Sequence, residues 1–206
     1  MKMGLKADEE IEVRLATKED IHLILSLQEA NLYYNTSLEE RELYGFVRGQ
    51  STARFLEESV CTNSILVAFV HNKFAGYLLT TTVEGVKNFV TLSEMLEKVK
   101  FSYIEGKIFN KHSYNVLVQV CIEKKYRRRQ ILGRLLWTAS FHFQDIYTFG
   151  ISQISNSNVA SIKAHIERYG AEKVYEYDCF DIGSVTKKTV IIFNYRKFLT
   201  SHILVA

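Results

Sequence analysis

The 206-residue chain carries a formal net charge of +3, and 47% of its residues are hydrophobic. A chain of this length can bury a core without disulfides or structural metals, and we expect one domain over residues 1–206. An odd number of cysteines without short spacings (Cys61, Cys121 and Cys179) argues against a disulfide framework and a zinc knuckle. No apolar run approaches a membrane span and no secretory signal pattern is present, so a cytoplasmic protein is expected.

The amino-terminal part of the chain predicts alternating strands and helices. Apolar residues at every second position indicate half-buried strands, whereas spacings of three and four indicate helices. In chain order the predictions are a strand at 11–15, a helix after the N-cap Thr17, a helical stretch at 38–58 broken near Gly45 and Gly49, and strands at 64–70 and 74–82 joined by a turn at 71–73.

Residues 83–113 have weaker patterns and are interpreted as an insertion between strands. Leu92, Met95, Leu96 and Val99 predict one helix within it. Insertions of this kind often serve as lids or substrate walls, so this segment is expected near a site.

The carboxy-terminal part predicts strand, helix, strand and helix, followed by two closing strands. In chain order these are a strand at 116–122, a helix with the stripe 131–139, a strand at 147–154, a helix at 158–169 capped by Gly170, and a hairpin of 173–180 and 188–195. The pattern indicates an α/β fold with a mixed central β-sheet flanked by helices. The apolar last strand is also a candidate for pairing across a homodimer.

A short basic run, Lys124 to Arg129, separates the strand at 116–122 from the helix that follows it. The first N–H groups of a helix have no partner inside the helix, and the helix dipole adds partial positive charge there. Arginines add forked donors that suit phosphate oxygens. The residues therefore predict a phosphate site, with a solvated basic helix start and a nucleic-acid contact as two other interpretations.

The same segment resembles the cofactor motif of the GNAT acyltransferase superfamily, Arg/Gln-x-x-Gly-x-Gly/Ala. Arg127 matches the first position, whereas Gln130 and Leu132 stand where small residues are expected. Gly133 keeps a small residue one place late. Because small residues let the backbone approach a pyrophosphate closely, this departure is expected to narrow the turn and weaken binding.

A second motif resembles the later helix of the family, Asn-x-x-Ser/Ala-x-x-x-Tyr/His followed by Gly-Phe. Asn158 and Ser161 match its first conserved types, and His165 falls at the tyrosine or histidine position. Ala171 replaces the phenylalanine, and the gap from His165 to Gly170 is one residue longer than usual. The resemblance covers most of the chain except residues 83–113.

The resemblance implies an enzyme that transfers an acetyl group directly from acetyl-CoA to a primary amine of a small molecule or peptide, without a nucleic-acid partner. It implies that His165 donates a proton to the leaving thiolate and that an amide near Val120 or Cys121 holds the thioester oxygen. The residues that it assigns to coenzyme A are Val120, Cys121, Ile122, Arg127, Arg128, Arg129, Gln130, Ile131, Leu132, Gly133, Asn158 and Ser161.

The group that takes the amine proton is not evident from these motifs. Gln153 occupies the place of a glutamate on the fifth strand of similar proteins, and a neutral amide cannot accept a proton in that role. Glu123 or a chain of water molecules is an alternative. An inactive acyl-CoA-binding or sensing module of the same fold therefore stays open beside the enzyme.

Overall fold

The computed structural model describes residues 10–181 and 184–201. The strands are β1 Ile11–Leu15, β2 Ile65–Val70, β3 Lys73–Thr81, β4 Tyr103–Ile104, β5 Lys107–Ile108, β6 Tyr114–Ile122, β7 Phe149–Ser155, β8 Glu172–Asp181 and β9 Ser184–Asn194. The α-helices are α1 Ile21–Ala30, α2 Leu38–Tyr44, α3 Ala53–Cys61, α4 Val90–Val99, α5 Ile131–Phe143, α6 Val159–Ile162 and α7 Tyr195–Ser201, and α6 continues as a π-helix over Lys163–Arg168.

Seven strands form one sheet in the order β1-β2-β3-β6-β7-β9-β8, while β4 and β5 form a separate hairpin. Neighbouring strands of the sheet are antiparallel except for β6 and β7. The parallel pairing of β6 and β7 covers only Tyr114–Val116 against Phe149–Ile151, so these strands separate beyond it. The predicted mixed sheet flanked by helices is confirmed.

Helices cover both faces of the sheet, because alternate strand residues point to opposite sides. In β9, Ile191 and Phe193 pack in the cluster that contains α5, whereas Val190 and Ile192 pack in the cluster that contains α4. Helices α1 and α3 cover the first strands on a third cluster. None of the described helices combines the length and the apolar character that a membrane span requires.

The strands and helices predicted in the first part of the chain are confirmed, although some of them begin or end at other residues than predicted. The helical stretch predicted at 38–58 is two helices, because Gly45, at a φ of +74°, ends α2. The predicted hairpin turn contains His71 and Asn72 at φ values of +47° and +61°. The insertion contains the predicted helix, α4, which buries Leu92, Met95 and Val99. It also contains the hairpin of β4 and β5, which the sequence pattern does not predict.

The carboxy-terminal end differs from the prediction. Strand β9 ends at Asn194, and α7 follows it without a loop. Strand β9 lies between β7 and β8 and is paired on both sides, so it offers no free edge to a second copy of the chain. Among the described strands the edges of the sheet are β1 and β8, so the last strand is not the edge through which a second copy could pair, and the homodimer itself stays a prediction.

Candidate functional site

The gap between β6 and β7 exposes backbone groups of β6. The N–H of Glu123 donates across to β3 at 2.8 Å, so Glu123 and, by alternation, Cys121 direct their backbone groups toward β3. Val120 and Ile122 direct theirs into the gap. The carbonyl of Ile122 accepts a hydrogen bond from Arg127 Nε at 2.8 Å. The N–H groups of Val120 and Ile122 and the carbonyl of Val120 therefore face the opening.

The first cleft, with an empty volume of about 980 Å³, lies along this opening between β6, the start of α5, residues 43–47 and the helix after Asn158. The predicted site residues that line it are Val120, Cys121, Ile122, Arg127, Arg128, Gln130, Ile131, Leu132, Asn158, Ser161 and His165. The two sequence motifs thus meet in one cleft, whereas Arg129 and Gly133 lie outside its lining.

The turn before α5 has a backbone conformation that glycine favours, although it contains no glycine. Arg128 and Gln130 have φ values of +64° and +63°, in the left-handed region. Gln130 precedes α5 without a side-chain cap, so the N–H groups of Ile131, Leu132 and Gly133 have no partner inside the helix. Ile131 and Leu132 line the first cleft, so their N–H groups and the helix dipole make this end of the cleft suited to an anion.

Gln130→Gly is expected to raise the free energy of unfolding by about 0.5–1 kcal/mol. Removal of the side chain relieves the left-handed conformation, and the greater backbone entropy of glycine in the unfolded chain offsets part of that gain. Urea unfolding measures the change. Gln130→Ala is the matched control, because it shortens the side chain and keeps the unfavourable φ; equal stabilisation by both variants would contradict this explanation.

Most of the basic run is bound within the protein. Lys124 forms an ion pair with Glu40, and Lys125 forms one with Glu123 at 3.0 Å. Arg127 Nη2 donates to Asn31 Oδ1 at 2.6 Å, and burial lowers the pKa of Arg127. Within the run, Arg128 is the arginine that is exposed and lines the first cleft. The run therefore presents less free charge to an external ligand than its sequence indicates.

Position 133 requires glycine because the Tyr169 ring packs against it, and not because the turn needs a small residue there. A Cβ at Gly133 would lie 2.7 Å from Tyr169 Cε1 and 3.0 Å from the hydroxyl oxygen. The Tyr169 ring is buried and belongs to the core cluster around α5, so it has little room to move. The glycine thus lets the segment that carries His165 pack closely on α5.

Gly133→Ala is expected to lower the free energy of unfolding by about 1–2 kcal/mol, because overpacking in a core outweighs the better helix propensity of alanine. Urea unfolding measures this loss. In a Tyr169→Leu background, which removes the ring, the same substitution is expected to be neutral or stabilising. Equal losses in both backgrounds would contradict the assigned contact.

Asn158 connects the second motif to a segment that the motifs do not mark. Its Oδ1 accepts from the N–H of Ser161 at 3.3 Å and caps α6, while its Nδ2 donates to the carbonyl of Phe46 at 3.1 Å. Gly45 is required beside it, because a Cβ there would lie 2.5 Å from Asn158 Oδ1. Farther along the same segment, Gln119 Nε2 donates to the carbonyl of Gly49 at 2.8 Å. Residues 45–49 therefore form a bridge across the β6–β7 gap, and the glycines at its ends are the sequence signal for it.

The π-helix at Lys163–Arg168 accommodates the extra residue of the second motif. The N–H of Tyr169 donates to the carbonyl of Ala164, five residues earlier, at 3.2 Å. A π-helical turn is the usual way in which a helix absorbs one inserted residue. Gly170 follows at a φ of +70°, as predicted for the cap. His165 lines the cleft although the spacing to Gly170 is one residue longer than in the family motif.

His165 is held in one tautomer. Its side chain is 7% exposed, and Nδ1 lies 2.8 Å from the carbonyl oxygen of Ser161. A carbonyl only accepts, so Nδ1 carries a proton and donates it there. Burial lowers the pKa of His165 below its ordinary 6.5, which keeps the ring neutral at pH 7. The neutral ring then has its lone pair on Nε2, which makes no hydrogen bond within the described residues.

The second cleft, with an empty volume of about 1360 Å³, lies on the other side of Val120 and His165. Phe89, Thr91 and Leu92 of the insertion form part of its wall. The residues shared by the two clefts are Phe46, Val47, Val120, Asn158, Ser161 and His165. The clefts therefore meet in the β6–β7 gap.

The other candidate reactive groups are placed less favourably for chemistry. Burial raises the pKa of Cys121 to about 12, so its thiol stays protonated. The Glu123 side chain pairs with Lys125 and lines neither cleft. Gln153 lines the second cleft, and its Oε1 accepts from the hydroxyl of Tyr177. His165 is therefore the side chain at the meeting point whose state suits proton transfer near neutral pH.

No protein-family model and no curated protein matches the sequence. Among solved structures, the chain is similar to an N-acetyltransferase from Staphylococcus aureus Mu50, with a TM-score of 0.60 and 15% identity over 90% of this chain and 99% of that one. It is also similar to a Drosophila melanogaster polyamine N-acetyltransferase that forms N-acetylagmatine, with a TM-score of 0.63 and 11% identity over 90% and 100% of the two chains. A GNAT-family acetyltransferase from Streptococcus pneumoniae gives a TM-score of 0.59 and 15% identity over 89% and 98%. The protein has the fold of the GNAT N-acetyltransferases.

Proposed function

We propose that this protein is an N-acyltransferase that transfers an acetyl group from acetyl-CoA directly to a primary amine. The observation that carries the proposal is the β6–β7 gap, where the two clefts meet beside Val120 and His165. Such an opening allows the reacting groups of two substrates to be held next to each other, and proximity alone contributes strongly to the rate.

The residues of the first cleft fit coenzyme A by their chemistry. The unpaired backbone groups of Val120 and Ile122 suit the amides of a pantetheine arm, which would bind as an added strand. The free N–H groups at the start of α5, together with Arg128, suit a pyrophosphate. The protonated Cys121 thiol supports direct transfer over an acyl-cysteine.

In the proposed reaction the amine nitrogen attacks the thioester carbonyl carbon, the C–N bond forms and the C–S bond breaks. The N–H of Val120 is the proposed donor to the carbonyl oxygen, where negative charge develops, because the N–H of Cys121 faces β3. The sulfur leaves as thiolate and takes a proton from solvent, since an ordinary thiol has a pKa of about 8.5.

We assign proton acceptance, rather than the donation that the family resemblance implies, to His165. With Nδ1–H bound to the Ser161 carbonyl, the neutral ring has no second proton to give to a leaving thiolate. Its Nε2 lone pair can instead accept the proton of the attacking amine. This assignment supplies the base that Gln153 and Glu123 do not.

A module that binds acyl-CoA without turnover is the alternative that one observation favours. The place of a family glutamate is taken by Gln153, whose oxygen is bound by Tyr177. The nucleic-acid interpretation has less support, because Lys124, Lys125 and Arg127 are bound within the protein.

The test is to mix the purified protein with acetyl-CoA and a panel of primary amines and to follow free thiol, while calorimetry measures coenzyme A binding. Amine-dependent thiol release is the expected result. Coenzyme A binding without thiol release from any amine would overturn the enzyme and support the binding module. Salt-dependent binding of DNA or RNA that coenzyme A does not displace would instead support the nucleic-acid interpretation.

A further inference from the structure

We infer that the acceptor amine is the amino terminus of a peptide, which binds beside β7 as a short added strand. The second residue of the peptide donates its N–H to the carbonyl of Gln153 and accepts at its carbonyl from the N–H of Ser155. The inference rests on the proposed acyl transfer and names the class of its acceptor.

The pairing of β7 with β9 determines which backbone groups of β7 face the gap. The N–H of Asn156, directly after β7, donates to the carbonyl of Lys187 on β9 at 2.9 Å. The register of the two strands is continuous, and backbone groups alternate in direction along a strand. Ile154 therefore also directs its backbone groups toward β9. Gln153 and Ser155 direct theirs the other way, into the gap.

The carbonyl of Gln153 and the N–H of Ser155 lie beyond the end of the β6–β7 pairing, which stops at Val116 and Ile151. Neither group has a ladder partner among the described strands. Backbone donors and acceptors in a partly enclosed site need partners. One residue of a parallel strand can serve both groups, because they belong to residues two apart on β7. A peptide supplies the matching N–H and C=O, whereas a simple alkylamine supplies neither.

The lining of the second cleft shows that these backbone groups are accessible. Residues 117–120 of β6 and residues 152–155 of β7 all line it. The side chains of a strand alternate between the two faces of a sheet, so a cleft against one face would be lined by every second residue. Consecutive residues on both strands indicate that the cleft opens between the strand edges, where a ligand can pair with the backbone.

A peptide that runs parallel to β7 brings its amine to the thioester. The proposed pyrophosphate site follows the carboxyl end of β6, so the pantetheine arm runs back along β6 toward the narrow end of the gap at Val116 and Ile151. The amino terminus of a parallel peptide points to the same narrow end. Val120 and Ser155 each lie four residues beyond these paired residues, at a similar level of the gap. An antiparallel peptide would point its amine away from the thioester.

The same register places the side chain of the first peptide residue among apolar groups. The second residue lies opposite Ile154 and shares its face of the sheet, where Ile154 packs in the cluster that contains α5. The first residue lies on the other face, that of Gln153, whose Oε1 accepts from Tyr177. Phe89 and Leu92 line the second cleft on this face. A peptide with an apolar first residue therefore fits the cleft.

The test compares three acceptors in the acetyl-CoA assay, with kcat/KM expressed per neutral amine. They are leucyl-alaninamide, leucyl-lactamide, in which an ester oxygen replaces the amide N–H, and isopentylamine, which keeps the apolar group alone. We expect the value for leucyl-alaninamide to exceed each of the others at least about tenfold, because the ester loses the hydrogen bond to the Gln153 carbonyl. Equal values for the amide and the ester, or a preference for isopentylamine, would overturn the inference and leave the acyl transfer standing.

A proline substitution tests the second hydrogen bond. Ser155→Pro removes the N–H of residue 155, and a strand tolerates proline where the N–H is outside the ladder. We expect it to lower the ratio of kcat/KM for leucyl-alaninamide to that for isopentylamine about tenfold. Ser155→Ala removes the hydroxyl and keeps the N–H, so it should change both values equally. An unchanged ratio in a folded Ser155→Pro protein would overturn the inference, and the amide and ester comparison decides it if that variant does not fold.

Binding separates the peptide site from the reaction itself. Calorimetry with leucyl-alaninamide and leucyl-lactamide in the presence of coenzyme A reports the site without turnover. Tighter binding of the amide, with no thiol release from any amine, would support the peptide site and overturn the proposed enzyme. If leucyl-alaninamide neither binds nor is acetylated while other amines release thiol, the peptide site alone is overturned.

Discussion

Ala164→Phe is expected to weaken coenzyme A binding about 100-fold, which corresponds to about 2.8 kcal/mol. Ala164 lines the first cleft and not the second, and its small side chain is half-buried in the π-helix. A phenyl ring at this position would occupy the space between the π-helix and β6 in which the proposed pantetheine arm lies. Isothermal titration of coenzyme A measures the loss of affinity.

The control for this variant is Lys163→Phe. It introduces the same ring one residue earlier in the same helix, but Lys163 is exposed and lines neither cleft. Thermal unfolding checks that both variants keep the fold. Wild-type affinity in a folded Ala164→Phe protein would place the coenzyme A site elsewhere, whereas loss in both variants would point to a general disturbance of the helix.

The composition of the first cleft was predictable because its two motifs have the same topological position. Within the described residues, β6 and β7 are the only parallel pair of the sheet, and one motif follows each of these strands. The segments after β6 and β7 therefore meet at the same edge of the sheet. Arg127 and Asn158 are separated by about thirty residues in sequence and still line one cleft. Hydrophobic periodicity predicted these strands, whereas the anion site at the helix start between them stays a prediction.

The details that decide the chemistry were not predictable in this way. The extra residue between His165 and Gly170 is visible in the sequence, but its accommodation by a π-helix depends on the packing of Tyr169 against Gly133. The tautomer of His165 depends on the direction of one carbonyl, that of Ser161, which no periodicity encodes.

Long-range pairing was the second gap in the sequence analysis. The apolar run of β9 is expected both of an interior strand and of an edge strand that lies in an interface. Only the pairing of β9 with both β7 and β8 shows that it is an interior strand. The bridge at residues 45–49 has little secondary structure of its own. Its position is set by hydrogen bonds from distant side chains, among them Gln119 and Asn158.

His165→Gln is expected to lower kcat for amine acetylation about 100-fold to 10,000-fold, the usual contribution of a general base. The glutamine can keep the hydrogen bond to the Ser161 carbonyl, but its amide cannot accept the amine proton at a useful pH. Thiol release under saturating acetyl-CoA measures the loss. His22→Gln is the matched control, because His22 is exposed on α1 and lines neither cleft.

The pH dependence distinguishes proton acceptance from proton donation by His165. Burial lowers its pKa below 6.5, so the neutral accepting form predominates at pH 7 and above. The ratio of wild-type to His165→Gln kcat/KM, in which the ionisation of the acceptor amine cancels, is therefore expected to be constant above pH 6.5 and to fall in more acidic solution. A proton donor would give the opposite, a ratio that falls as the pH rises.

The stability of the protein is expected to decrease in the same direction of pH. Because the folded state binds this proton less well than the unfolded state, the wild-type protein should lose stability relative to His165→Gln as the pH falls below 6.5 toward the folded pKa. A wild-type protein that gains stability over the variant in this range would contradict the buried neutral imidazole from which the assignment derives.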